Sequence, residues 1–335
     1  MLVKGGNQFA LIVIYYVFTV HIMIKFGECD LYMHNIPCQN ISVLLYSNQS
    51  EAPYLIDTKN LDNLERAPFM KELPIKLIIP GFVSKKEDLL FGALVPAYKN
   101  NENYNVMYVS YLNRTKDKCD RSITAKNLST CIYTELKKIF EVHQIKLKDV
   151  HVISASLGVV LAGYMVPLFG KEKLARFTGL DPAVMATFSP CMGFSNTDEY
   201  PVSSESAHFV DIYHTNMLFS GYVGLLGHLD VIYSNGRRQE ACDDIDLVAN
   251  FLGSACSHRI VNFYYAESVF SKEGFWGKPC RYIFNPYDEN DTRICATDDN
   301  EEEILVGESV SHQSRGLYHV ITNPTFPYSK GKMFS

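Results

Sequence analysis

From about residue 40 to residue 320 the chain alternates short apolar runs, rich in β-branched and aromatic residues, with longer stretches whose apolar positions recur at helical spacing. The runs Ile41–Tyr46, Ile75–Ile79, Val106–Tyr111, Val150–Ile153 and Phe209–Tyr213 read as buried strands. Between them, Thr124–His143 places Leu128, Cys131, Ile132, Leu136, Ile139 and Phe140 along one helical face. Parallel strands need a crossover long enough to hold a helix, so this alternation predicts a mostly parallel central sheet flanked by helices, the α/β class. There is no internal repeat and no low-complexity linker, and the acidic run Asp298–Glu303 reads as a solvated loop.

Composition narrows this picture. The 335 residues are 47% hydrophobic, enough for the core of one large α/β domain or two modest ones. The net charge is −6 and the Lys and Arg residues are scattered, which excludes a sequence-independent grip on nucleic acid. At the N-terminus, Lys4 is the only charge ahead of the apolar run Phe9–Ile24, and small or polar residues follow at Gly27–Cys29. Residues 1–29 therefore read as a secretory signal, with an uncleaved anchor as the alternative; the apolar run falls short of a comfortable span and contains His21. Nine cysteines without a C-x-x-C pair point to disulfides, and the N-x-S/T sequons at Asn40, Asn48, Asn113, Asn127 and Asn290 fit a glycosylated, extracellular chain. The odd count leaves one thiol over, with Cys29 or Cys191 the candidate.

The chemistry centres on one junction. The segment Asp149–Gly158 is a buried-type strand running into Ser154-Ala155-Ser156-Leu157-Gly158 and then into the apolar helix Val159–Val166. A nucleophilic Ser on a sharp strand-to-helix turn needs small residues two before and two after it, so that strand and helix can pass closely. Ser154 and Gly158 fill those places. The same turn sets the Leu157 N–H at a helix N-terminus, where free amides favour a developing negative charge, as one half of an oxyanion hole. Further on, Asp181 ends another apolar strand just before Pro182, and His258 stands beside Cys256. The order Ser, Asp, His is that of the α/β-hydrolase fold rather than that of chymotrypsin-like or subtilisin-like folds. His214 and His228 flank core strands and read as loop-holding residues, His151 belongs to the strand feeding Ser156, and Asp211 and Asp230 are poorer candidates for the acid than Asp181.

Beyond these residues, a wider set of segments carries a resemblance. Ile78-Ile-Pro-Gly-Phe82, Val150–Gly158, Thr178–Ala183, Ala207–Thr215, Gly227–Asp230, Asn235-Gly236, Cys256–His258 and Tyr264–Ser268 together resemble the pancreatic lipase family, in its insect-type, single-domain lipase and phospholipase A1 branch, over about residues 38 to 330. The resemblance implies a catalytic triad of Ser156, Asp181 and His258, with the amides of Phe82 and Leu157 as the oxyanion hole and no cofactor. It implies a disulfide Cys242–Cys256 closing a lid over Asp243–Ala255, where Ile245, Val248, Phe251 and Leu252 share a helical face. Cys280–Cys295 is the other expected pair, while Cys38, Cys119 and Cys131 are open to more than one pairing. The short lid, with the shortened stretch Val184–Ala207, is closer to the phospholipase A1 members than to the triglyceride lipases.

Four departures stand out from the family pattern. Ser154 replaces the leading Gly of the elbow, with Ala155 in the place that is usually His, and Pro80 replaces a His before Gly-Phe. The positions of the family's calcium carboxylates read Ser203 and Ser206, so no metal is expected. Residues 30–335 are expected to form a single lipase domain without the β-sandwich that follows in pancreatic-type lipases, and hence no colipase partner. The reading is a secreted serine carboxylester hydrolase acting on lipid esters at a membrane or lipid-droplet surface, phospholipase A1-like or a neutral lipase. The alternatives are a secreted lipid-binding or yolk-type protein of the same fold, and a general esterase of small esters.

Overall fold

The structure, a computed structural model, describes residues 38, 41–47, 52–81, 93–99, 103–111, 124–184, 199–243, 255–282, 295–297 and 302–332. The signal region 1–29, Phe82, the lid positions Ile245, Val248, Phe251 and Leu252, the sequons at Asn40, Asn48, Asn113 and Asn290, and Cys29, Cys119 and Cys191 lie outside the described residues. Asn127 lies inside them and is exposed.

In chain order the elements are β1 (Ser42–Tyr46), β2 (Tyr54–Ile56), α1 (Leu61–Glu65), β3 (Ile75–Ile79), α2 (Leu94–Lys99), β4 (Asn105–Ser110), α3 (Ala125–His143), β5 (Val150–Ala155), α4 (Leu157–Met165) and β6 (Leu174–Leu180). They continue as β7 (Ala207–His214), β8 (Leu229–Tyr233), α5 (Ala255–Arg259), α6 (Val261–Ser268), β9 (Phe275–Tyr282), β10 (Cys295–Thr297), β11 (Ile304–Val306) and β12 (Gly316–Val320). The strands form one 12-stranded sheet in the order β10-β9-β12-β8-β7-β6-β5-β3-β4-β1-β2, with β11 also on β9. From β4 through β12 the neighbours run parallel, while β1, β2, β9, β10 and β11 make antiparallel edges. Parallel strands are covered on both faces, which is why β3, β5 and β8 are buried along their whole length.

Side chains alternate between the two faces. On one, Leu77, Val152, Phe177 and Ile212 join a core with Leu128, Ile132 and Leu136 of α3 and Val159 and Val160 of α4. On the other, Ile78, Ile153, Leu180 and Tyr213 join Tyr98 of α2 and Val261, Tyr264 and Tyr265 of α6. Helix α3 starts where the Thr124 hydroxyl accepts the Asn127 N–H at 3.1 Å and stops at Gln144, which takes a left-handed conformation at φ 54°. Such an N-cap stabilises by about 1 kcal/mol. The disulfide Cys38–Cys131 ties the start of β1 to α3, and Cys242–Cys256 and Cys280–Cys295 are the other two among the described residues.

The second face also buries charge. Lys76, His151, Arg176 and Asp211 occupy inward positions of β3, β5, β6 and β7, all under 10% exposed. Arg176 grips Asp211 in a fork, at 3.0 Å from Nε and 2.7 Å from Nη2, and donates to the carbonyls of Gly307 and Glu308 at 2.7 Å each. Lys76 pairs with Glu308, which also accepts from Tyr98 and Tyr265. A buried charge without a partner would cost several kcal/mol, so these groups occur only as a closed network.

The chain reverses direction across the sheet at β3: β4 lies on one side of it and β5 on the other. At such a switch point the crossovers leave in opposite directions and open a crevice beyond the carboxyl ends of the strands. Those ends are Ile79, followed by Pro80, and Ala155, followed by Ser156.

Candidate active site

Ser156 stands at the crevice with φ 52° and ψ −124°, outside the regions open to an unstrained L-residue. The strain is held by the neighbours: Ser156 N–H donates to the Leu180 carbonyl at 2.9 Å, and its carbonyl accepts Val159 N–H at 3.0 Å. Two residues on, a Cβ at Gly158 would come within 2.3 Å of the Ile79 carbonyl oxygen and 2.4 Å of that of Pro80, so only glycine lets α4 pass the end of β3. Two residues before, Ser154 is fully buried and its hydroxyl donates to the Thr178 carbonyl on β6 at 3.2 Å. The extra hydroxymethyl in the elbow is thus seated between β5 and β6.

His258 arrives on α5, a single short helix fixed at both sides. The Cys242–Cys256 bridge anchors it two residues away, and the Ser257 hydroxyl accepts the Gln239 N–H at 3.0 Å. Gln239 in turn donates its side-chain amide to the carbonyls of Thr215 at 2.9 Å and Tyr233 at 3.0 Å. Held in this way, His258 Nε2 lies 2.7 Å from Ser156 Oγ and Nδ1 lies 2.5 Å from Asp181 Oδ2.

Asp181 is fully buried at φ 42° just past β6. Its other oxygen, Oδ1, accepts the backbone amides of Thr215 at 2.8 Å and Asn216 at 3.0 Å. Asp181 thus meets backbone donors with one oxygen and His258 Nδ1 with the other, while His258 Nε2 faces the Ser156 hydroxyl. Ser–His–Asp in this order, with the base oriented by a buried acid, is the arrangement that activates a serine for acyl transfer. Leu157 N–H heads α4, among the amides that a helix cannot pair internally.

His214, His228, Asp211 and Asp230 are engaged elsewhere. His214 Nε2 lies 2.9 Å from Asp230, whose oxygens also accept the amides of Leu226 and Gly227. His228 Nδ1 accepts the Val210 N–H at 3.0 Å, and Asp211 is held by Arg176 and Thr178. Ser203 and Ser206 form a reciprocal capping box around the turn Ser204–Ser206, so both hydroxyls already bond backbone amides. Among the described residues, no three His, Cys, Asp or Glu side chains converge as metal ligands would.

Several residues of the site carry no signature in the sequence. The amides of Thr215 and Asn216 act through backbone position, and Gln239 through a side chain that lies between the segments Asn235-Gly236 and Cys256–His258 without belonging to either. Gly221 approaches Asp181 so closely that a Cβ there would lie 2.8 Å from both carboxylate oxygens.

Known proteins resemble this chain in sequence. The family described as Lipase matches residues 29–314. Pancreatic lipase-related protein 2 of Sus scrofa is 29% identical over 259 residues, covering 71% of this chain and 53% of that protein. Pancreatic triacylglycerol lipase of Myocastor coypus is 26% identical over 282 residues, covering 77% and 58%. The chain thus spans little more than half the length of these curated relatives. Among solved structures, naproxen esterase (carboxylesterase NP) of Bacillus subtilis aligns over 80% of this chain and 98% of its own at 11% identity, with a TM-score of 0.32, too loose to bear on substrate. With the family match running through β1 to the segment before β12, the chain belongs to the lipase family.

Proposed function

We propose that the protein is a secreted serine carboxylester hydrolase acting on lipid esters, phospholipase A1-like or a neutral lipase. The observation that carries this is the continuous hydrogen-bonded series Ser156–His258–Asp181 beside a helix N-terminus. In the proposed reaction His258 Nε2 takes the hydroxyl proton as Ser156 Oγ attacks the ester carbonyl. Asp181 stabilises the imidazolium, and the amides of Leu157 and Phe82 hold the oxyanion. The tetrahedral adduct collapses to an acyl-enzyme when His258 returns the proton to the departing alcohol. Water, deprotonated by His258, then attacks the acyl carbon and releases the fatty acid.

Disulfides across the described residues support an oxidising, extracellular setting. The lid Ile245, Val248, Phe251 and Leu252 would cover the site in water and open at a lipid surface. Its shortness favours phospholipids over triacylglycerols.

The test is the purified secreted protein, wild type and Ser156→Ala, on phosphatidylcholine and triacylglycerol side by side, with a fluorophosphonate probe for the nucleophile. Labelling and hydrolysis by the wild type alone are expected. A folded wild type that neither labels nor hydrolyses would overturn the enzymatic reading in favour of a lipid-binding protein.

A further inference from the structure

The β-ladders around the crevice stop short of the residues that shape it. The β3–β4 pairing ends at Ile78 with Tyr108, and the β3–β5 pairing at Ile79 with Ser154. The next residue is Pro80, which has no N–H with which to continue a ladder. The Pro80–Gly81 exit nevertheless has to hold its place, because the Pro80 carbonyl lies against the Cα of Gly158, two residues past the nucleophile. A slip of a few tenths of an ångström there would move the strand exit relative to the elbow.

What holds it is a side chain from the next strand. Tyr111 follows β4 directly and is buried, and its hydroxyl reaches the Pro80 carbonyl at 2.5 Å and the Gly81 carbonyl at 2.9 Å. Burial raises the phenol well above its usual pKa, so at neutral pH it stays protonated and can donate. One hydroxyl proton is therefore shared by two consecutive carbonyls of the exit. The Gly81 carbonyl belongs to the same planar peptide unit as the amide of residue 82. A hydrogen bond to that oxygen restrains the plane of the unit.

We infer that Tyr111 is a positioning residue for the oxyanion side of the Ser156 site, its hydroxyl clamping the Pro80–Gly81 exit against the elbow. It touches neither the ester nor the triad; it acts through the backbone it holds. The inference rests on Ser156 being the nucleophile of an ester hydrolase. Where Pro80 ends the ladder, the carbonyls of the exit are held by the Tyr111 hydroxyl.

The test compares wild type and Tyr111→Phe, which keeps the ring and its packing and removes only the hydroxyl. Rates on p-nitrophenyl butyrate are normalised to the fraction of serine that a fluorophosphonate labels at saturation, so that misfolded protein does not count. A trifluoromethyl ketone, whose serine adduct carries an oxyanion, supplies a second measurement that a merely structural role would not move. Expected for Y111F is a kcat lower by about tenfold per labelled site, less than the loss from deleting an oxyanion donor outright. KM should stay within twofold, and the Ki of the ketone should rise in step with the fall in kcat. A per-site kcat or a Ki within twofold of wild type overturns the inference while leaving the serine hydrolase reading intact. A wild type that neither labels nor turns over overturns that reading itself, and the two failures are thereby distinct.

Discussion

The two oxygens of Asp181 face different partners: Oδ2 lies 2.5 Å from His258 Nδ1, while Oδ1 takes the backbone amides of Thr215 and Asn216. The division makes Asp181→Asn informative. The backbone amides demand an acceptor, so the asparagine oxygen would stay on their side and its NH2 would face His258 Nδ1. That forces the proton of the imidazole onto Nε2, the tautomer unable to receive the Ser156 proton. A loss of kcat of about 10³- to 10⁴-fold is expected, with thermal stability near that of the wild type. Activity within tenfold of wild type on p-nitrophenyl butyrate would show that Asp181 does not orient the base.

Gly221 tests the same carboxylate from its other side. In Gly221→Ala the new methyl would sit 2.8 Å from both Asp181 oxygens and 3.0 Å from the Asn216 carbonyl. Backbone cannot yield there cheaply, since Gly221 N–H already donates to that carbonyl at 3.0 Å. The expected result is a shifted Asp181, kcat down by at least about tenfold through misplacement of the base, and a modest fall in Tm. An unchanged kcat in a folded variant would count against the close approach.

The Cys242–Cys256 bridge closes a loop with a sequence separation of 14 and sits two residues from His258. Removing both cysteines as Ala frees the loop in the folded and unfolded chains alike. The chain-entropy account gives a stability loss of about 3 kcal/mol for a loop of this size. Activity should fall further than stability predicts, because α5 loses the anchor that places His258. Equal activity per folded molecule, measured below the midpoint of a urea melt, would show that Ser257 and Gln239 suffice to hold α5.

Much of this site was legible in the chain itself, for a physical reason. The turn at Ser156 needs Gly158 beside it, and the buried strand leading into it shows as the run Val150–Ala155, so composition and spacing both expose the junction. Strand β3 likewise matched its apolar run Ile75–Ile79. The charged second face was not legible. Lys76, His151, Arg176 and Asp211 each look like an ordinary polar interruption of a strand. Glu308, which pairs with Lys76 and Arg176, lies 232 residues from Lys76, a pairing that only the completed sheet creates. Tyr111 was similarly hidden, since a Tyr closing an apolar run reads as core until its hydroxyl is seen against Pro80 and Gly81.

His151 gives that network a measurable pH dependence. Its Nδ1 lies 3.0 Å from Lys76 Nζ, which can only donate, and its Nε2 lies 2.7 Å from Thr178 Oγ1, whose own proton goes to Asp211 at 2.8 Å. Both ring nitrogens are therefore committed in the neutral Nε2–H tautomer, and a second proton would have to displace the Lys76 ammonium. Burial first, then Lys76, Arg176 and His312, push the imidazole well below its usual range. In the unfolded chain it titrates near about 6.5. The folded state thus binds fewer protons, so its contribution is fully present above the unfolded pKa. It declines as pH falls below that value, by up to about 1.4 kcal/mol per pH unit until the folded pKa is reached. His228, His312 and His319 are shifted the same way by burial and add to the slope. The part due to His151 is isolated by comparing wild type with His151→Gln in urea melts at pH 7.5, 6.0 and 5.0. The wild type should lose more stability between the first and last of these than the variant does. Parallel losses in the two proteins would mean that His151 takes up its proton without resistance, and that the Lys76 contact does not hold it neutral.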